Sequence, residues 1–199
     1  SKEAVSALTR STVQEYFKNV ANPEKMVISV VGPINGKECA KRIQTAFETM
    51  PKIKFDAPPI EKPFLPSKRE TYEKLEKEQT HIALVHPGIS LLDKKRFALE
   101  VMQSILSGQG GRLFIELRDK LSLAYSVSPL RLDGIDSGYF GAYIGCSPEK
   151  ADKAVEMMRK ELYRFRTELV GEKELEHAKR YLTGRYAIGN QRTSQMASL

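Results

Sequence analysis

The chain has 199 residues, of which 41% are hydrophobic, and this apolar content is too high for a disordered protein. Its net charge is +7, but basic and acidic residues are mixed along the chain, so the sequence does not predict binding to nucleic acid. No stretch approaches the roughly 20 consecutive apolar residues that cross a bilayer, so no membrane span is expected. Because the chain starts at Ser1 and not at Met, we expect it to be a piece of a longer protein.

The first segment, residues 1–50, is predicted to contain a helix, a strand and a second helix. Thr12 and Glu15 have the spacing of a capping box at the start of the first helix. Asn35 is the predicted N-cap of the second helix. Between them, residues 26–31 are apolar and rich in β-branched side chains, which predicts a buried strand.

A proline-rich stretch divides the chain. Residues 51–66 contain five prolines, and proline fixes φ and removes a hydrogen-bond donor, so neither a helix nor a central strand is expected there. We therefore predict a linker at 51–66 that separates a leading unit, residues 1–50, from a main unit, residues 67–199.

The main unit is predicted to mix paired strands with helices. Its predicted elements in chain order are a strand pair at 70–78 and 79–85, a helix at 91–106, a short helix at 112–120, a hairpin of 124–132 and 138–146, a helix from Pro148 that Gly171 breaks, and a last helix. The strands come in pairs and do not alternate with single helices. The predicted fold class is therefore α+β, with helices covering a mainly antiparallel or mixed sheet.

The histidines do not predict a zinc site within this chain. His81 and His86 are five residues apart on one predicted strand, and alternating side chains would place them on opposite faces. His177 follows Glu174 at the spacing used in di-iron sites, but the second such pair is missing. Neither His-Glu-x-x-His nor His-x-x-Glu-His occurs.

Two other features could carry chemistry. The glycine-rich stretch 107–112 could present amides to an anion. However, it joins two predicted helices and lacks the Lys-Ser/Thr of a phosphate-binding loop, so a tight turn between helices is favoured.

Arg118 and Tyr125 could hold a peptide carbonyl and then its oxyanion. An Arg near a helix end and a Tyr in a strand also stabilise a fold without any such role, and the residues alone leave both interpretations open.

A longer stretch carries a family resemblance. Residues 106–127 read Leu-Ser-Gly-Gln-Gly-Gly-Arg-Leu-Phe-Ile-Glu-Leu-Arg-Asp-Lys-Leu-Ser-Leu-Ala-Tyr-Ser-Val. This stretch resembles the signature of the pitrilysin/insulinase family of zinc peptidases, which includes the mitochondrial processing peptidases. Residues 16–32, 79–88 and 175–184 resemble further segments of that family. The resemblance implies the αβ sandwich of the family, and a C-terminal-type domain that lacks the zinc motif.

The resemblance also implies roles for particular residues. In the family, an Arg and a Tyr seven residues apart bind the substrate and help to stabilise the tetrahedral intermediate, and Arg118 and Tyr125 match that spacing. Gly110 and Gly111 are implied to contact the substrate, a peptide or protein held partly as an added strand. Zinc is then expected in a missing N-terminal half or in a partner subunit, and this chain alone is expected to be inactive.

The leading hypothesis is therefore the non-metal-binding domain of a zinc metalloendopeptidase. One alternative is a scaffold subunit of the same family without proteolysis, and another is a basic module that binds acidic partners. The apolar run 26–31 adds a hypothesis about assembly: we expect it to pair with the strand that contains residues 79–85, within one chain or by swapping between copies in a homo-oligomer.

Overall fold

A computed structural model describes residues 1–23, 26–50 and 68–198. They pack as two units, one within residues 1–59 and 187–199 and the other within residues 60–186. The α-helices are α1 (Lys2–Ser6), α2 (Arg10–Val20), α3 (Gly36–Phe47), α4 (Arg96–Leu106), α5 (Ala151–Thr167), α6 (Glu172–Gly189) and α7 (Thr193–Ala197). The other elements are a π-helix at Phe114–Lys120, a 3₁₀ turn at Pro148–Lys150 and the strands β1 (Thr80–Pro87), β2 (Ser126–Asp133) and β3 (Gly138–Cys146).

The predicted domain boundary lies outside the described residues. Residues 51–66 belong to the part of the chain of which the structure gives no account, so the linker and the division into 1–50 and 67–199 stay predictions. Residues 187–199 belong to the same unit as the leading residues, a grouping that the sequence did not indicate.

The first unit forms its helices from local signals. Asn35 caps α3 as predicted, since its Oδ1 accepts hydrogen bonds from the backbone N–H groups of Lys37 at 3.0 Å and Glu38 at 3.2 Å. The cap of α2 was predicted at Thr12 and is instead Thr9, whose side chain accepts from the Thr12 N–H at 3.2 Å. The helix thus begins almost one turn earlier than the capping-box pattern indicates.

The strand predicted at residues 26–31 is wrong. These residues form no strand of the described sheet, and Val27, Ile28 and Val30 are exposed, with Val27 at 95%. Pairing of these residues with the strand containing residues 79–85 within one chain is also wrong, because they form no strand and β3 is the described partner of β1. Pairing between copies of the chain stays a prediction. A β-branched run favours extended backbone, but only a neighbouring strand with free N–H and C=O groups makes it part of a sheet.

The second unit is built on a three-stranded antiparallel sheet in the order β1-β3-β2. The predicted hairpin of β2 and β3 is present, with Ser126 opposite Gly145 and Asp133 opposite Gly138. The strand predicted at 70–78 is absent, and Tyr72 there is exposed. Its alternating polar and apolar residues are not paired with either outer strand of the described sheet, so the alternation alone does not make a strand. The α+β class with an antiparallel sheet covered by helices is confirmed.

The core of the second unit lies between the sheet and α5. One face of α5 points Ala154, Met158 and Leu162 inward at helical spacing, and all three are buried. They meet Ile144 on β3, which is fully buried. The buried residues that complete this cluster are Leu106, Leu113, Leu117, Leu123, Phe140, Ala142, Cys146 and Met157. No helix in the described part of the chain is long and apolar enough to cross a membrane.

The exposure of Val27 gives a solubility prediction. Val27→Lys is expected to reduce aggregation of the 199-residue chain, because it replaces an exposed apolar side chain by a charge. The free energy of unfolding should change by less than about 0.5 kcal/mol, since Val27 has little packing to lose. Light scattering against protein concentration and urea denaturation measure the two effects.

Ile144→Ala is the control for a buried position and should lose about 2–5 kcal/mol of stability. A comparable loss in Val27→Lys would contradict the exposed placement of residues 26–31.

Candidate functional site

Arg118 lies near the end of the π-helix and is exposed. Its guanidinium carbon is 4.8 Å from the centre of the Phe114 ring, one turn earlier on the same element. A guanidinium that stacks on a ring in this way is held in place, and its N–H groups remain free to donate at the edges. The residue is therefore both accessible to a ligand and restricted in its orientation.

Tyr125 immediately precedes β2 and presents its side chain to solvent, with 59% of it exposed. Its backbone N–H donates to the Gly145 carbonyl on β3 at 2.8 Å. This hydrogen bond extends the β2–β3 ladder by one residue, so the backbone of Tyr125 is fixed although its phenol is free. A phenol in this setting can donate a hydrogen bond to a carbonyl or an oxyanion.

The chain between these two residues is anchored in the core. Leu117, next to Arg118, is fully buried, and Leu123, two residues before Tyr125, is 8% exposed. The Leu123 N–H donates to the Leu117 carbonyl at 2.8 Å, which closes the turn. The structure thus places Arg118 and Tyr125 at the two ends of one short turn that two buried leucines hold down.

The predicted tight turn after α4 is present. Gly108 has a φ of +75°, the left-handed conformation that ends many helices. A Cβ on Gly111 would come within 2.6 Å of the Leu106 carbonyl oxygen, so the close approach of the backbone requires glycine there. A Cβ on Gly110 would meet nothing within 4 Å. Gly111 is therefore explained by packing, whereas Gly110 is open to solvent.

A cleft of about 220 Å³ lies between this turn and α6. Gln109 and Gly110 line it on one side, and His177 and Tyr181 line it on the other. His177 and Tyr181 are exposed and one helical turn apart. The cleft offers backbone amides, an amide side chain, an imidazole and a phenol, all of which can form hydrogen bonds.

An ion pair that the sequence analysis missed fixes this region. Arg112 donates to both carboxylate oxygens of Glu174 on α6, at 2.7 and 2.6 Å, and is 11% exposed. The Arg112 guanidinium also lies 5.0 Å from the Phe165 ring on α5. The hydrogen bonds from Arg112 hold the pKa of Glu174 below its ordinary value. The partners are 62 residues apart, so no local pattern could have indicated the pair.

The described residues do not fit a zinc ion. His81 and His86 are on one strand at an odd separation, and the His81 Nδ1 is 2.6 Å from the Tyr143 hydroxyl, with the rings stacked. His177 lies on α6 beside the cleft. Within residues 1–23, 26–50 and 68–198, no group of three or more His, Cys, Asp and Glu side chains could hold a metal.

Comparison with known families and proteins gives consistent results. The family profile described as "Peptidase M16 inactive domain" matches residues 7–182. An uncharacterized zinc protease of Streptomyces coelicolor is 28% identical over 98% of this chain, and one of Bacillus subtilis is 26% identical over 100% of this chain. These matches cover 44% and 48% of the two proteins, so the chain spans about half the length of the curated relatives it matches.

Solved structures share the fold. A protease from Helicobacter pylori superposes with a TM-score of 0.80 at 17% identity, over 98% of this chain and 49% of that one. A peptidase M16 inactive domain from Pseudomonas fluorescens superposes with a TM-score of 0.71 at 20% identity, over 91% of this chain and 44% of that one. At these identities the likeness concerns the architecture alone.

The Arg112–Glu174 pair gives a pH prediction. The pKa of Glu174 is below its ordinary value of 4.5 in the folded chain. The ionised carboxylate therefore contributes stability that is present above this pH and is lost as the pH falls through the lowered folded-state pKa. Glu174→Gln should be less stable than wild type at pH 7, and the difference should shrink below pH 4.5, as measured by urea denaturation across the acid range.

Glu176→Gln is the matched control on the same helix. Glu176 pairs with Lys179 on the surface, where an ion pair contributes little. Equal losses of stability in the two variants at pH 7 would contradict a structural role for the Arg112–Glu174 pair.

The two glycines, Gly110 and Gly111, give a prediction about the stability of the turn after α4. Gly111→Ala is expected to destabilise the chain by more than about 1 kcal/mol, because the new methyl group would collide with the end of α4. Gly110→Ala should leave stability unchanged or slightly higher, since its methyl group would project into open space. Thermal unfolding of both variants measures this, and similar melting temperatures would show that the turn is not as close as the structure has it.

Proposed function

This chain belongs to the family of peptidase M16 inactive domains, and from that premise we propose that it is the substrate-binding, non-metal-binding part of a zinc metalloendopeptidase. Arg118 and Tyr125 are proposed to bind the carbonyl of the scissile peptide and to stabilise the oxyanion that forms from it. The observation that carries this proposal is the placement of both side chains, exposed, at the ends of a turn held by the buried Leu117 and Leu123.

The chemistry of the two side chains supports this role. The guanidinium of Arg118 is a permanent cation with fixed N–H donors, and the phenol of Tyr125 is a neutral donor. Both donors strengthen as negative charge develops on a carbonyl oxygen, so they favour the transition state over the bound substrate. Their backbones are fixed before a substrate arrives, which reduces the reorganisation that the reaction requires.

The glycine turn is proposed to contribute to peptide binding at the same site. Gly110 borders the cleft with His177 and has no side chain between its backbone and a ligand. Gly111, which must be glycine for the turn to close, is proposed to let the turn present its amides to the peptide. The bound substrate would then contact both the turn and the Arg118–Tyr125 segment.

Zinc is proposed to be bound outside these 199 residues. The relatives named as zinc proteases are about twice as long as this chain, and the described residues do not fit the metal. The rest of the protein or a partner subunit is therefore proposed to carry zinc, and this chain alone is proposed not to cleave peptides.

Substitution of the two residues in the full-length protein tests the proposal. Arg118→Ala and Tyr125→Phe should each lower kcat/KM for a peptide substrate by about 10²–10³, the cost of losing one oxyanion donor. Both side chains are exposed, so the melting temperature should stay near that of wild type. Peptide-cleavage kinetics and thermal unfolding are the two measurements.

Matched controls lie on α5. Arg166 stacks on Tyr163 at 5.5 Å, and both are exposed, as Arg118 and Tyr125 are. Arg166→Ala and Tyr163→Phe should therefore leave the kinetics unchanged. Wild-type kinetics in Arg118→Ala and Tyr125→Phe would sink the proposed role and favour a scaffold domain without catalytic function.

A further inference from the structure

The turn between Arg118 and Tyr125 contains a backbone conformation that side chains disfavour. Ser122 has a φ of +49°, and no other non-glycine residue of the described ranges has a positive φ. In this left-handed region a residue with a Cβ is disfavoured, because the Cβ comes too close to the following carbonyl oxygen. A conformation of this kind persists only where the surroundings hold it, and such positions cluster at functional sites.

Backbone hydrogen bonds hold part of this turn. The Ser122 N–H donates to the Arg118 carbonyl at 3.0 Å, and the Leu123 N–H donates to the Leu117 carbonyl at 2.8 Å. These two bonds satisfy N–H groups. Neither of these two bonds involves the Ser122 carbonyl oxygen.

The partner of the Ser122 carbonyl is Lys150. Its Nζ donates to the Ser122 carbonyl at 2.8 Å from the last residue of the 3₁₀ turn that leads into α5, 28 residues further along the chain. A hydrogen bond from a charged donor is about twice as strong as one between neutral groups. Lys150 thus ties the strained residue of the turn to the helix that forms the core.

We propose that Lys150 is a positioning residue for Arg118 and Tyr125, a proposal that rests on the function proposed above. Ser122 lies between the two, four residues after Arg118 and three before Tyr125. A rotation of the Ser122 peptide groups would therefore change the separation and the direction of both side chains. By holding that carbonyl, Lys150 keeps the two donors at one spacing toward the substrate.

The test uses the full-length protein with Lys150→Met, Lys150→Arg and wild type. Lys150→Met removes the donor and keeps most of the aliphatic stem. It should lower kcat about tenfold with KM nearly unchanged, because misplaced donors weaken transition-state interactions most. Lys150→Arg keeps a charged donor and should recover most of the activity.

Lys153→Met is the control. Lys153 lies three residues further along and pairs with Glu156 on the outside of α5 at 2.8 Å. Lys153→Met removes the same charge one turn further along, in the first turn of α5, and should leave kcat unchanged. An equal fall of kcat in Lys153→Met, or an unchanged kcat in Lys150→Met, would overturn the proposal.

A double-substitution cycle separates positioning from a general structural effect. If Lys150 acts by positioning Arg118 and Tyr125, then Lys150→Met should lower kcat much less in an Arg118→Ala/Tyr125→Phe background than in wild type. A tenfold fall in both backgrounds would overturn the positioning role and leave the proposed function intact. Wild-type activity in both Arg118→Ala and Tyr125→Phe would instead overturn the proposed function, and the role of Lys150 with it.

Discussion

The burial of β3 against α5 is the interaction on which the rest of the second unit depends. Ile144 and Met158 are fully buried at this interface, and replacing such a side chain by alanine costs about 2–5 kcal/mol. Leu117 and Leu123 enter the same cluster from the neighbouring π-helix and turn. The segment that carries the candidate site is therefore anchored in the core, although the side chains that would contact a substrate are exposed.

The described residues of the first unit contribute no side chain to this buried cluster. Its helices α2 and α3 have side-chain caps and amphipathic sequences, yet α3 contains no buried residue. Tyr16, Phe17 and Val27 are all more than two-thirds exposed. Local signals suffice to form a helix, but they do not supply the surface against which its apolar side pairs. The two units thus use similar sequence patterns with different outcomes.

Exposure and rigidity are combined at the candidate site by contacts from distant parts of the chain. Tyr125 is bonded through its N–H to β3, and Ser122 is bonded through its carbonyl to Lys150 at the start of α5. Arg112 ties the glycine turn to Glu174 on α6. Each contact fixes backbone or a supporting side chain and leaves Arg118 and Tyr125 free to donate. This division suits a surface that must bind a ligand without rearranging.

The sequence by itself determined the features that depend on near neighbours. The Asn35 cap, the β2–β3 hairpin and the inward row of α5 follow from turn chemistry and periodicity, and the α+β class follows from their order. The spacing of Arg118 and Tyr125 was also recognisable in the sequence, because it resembles the pattern of a known family. Tertiary structure alone decided that residues 26–31 form no strand of the described sheet and that Arg112 pairs with Glu174. Strand pairing and an ion pair across 62 residues both depend on segments far apart in the chain, which leave no local pattern.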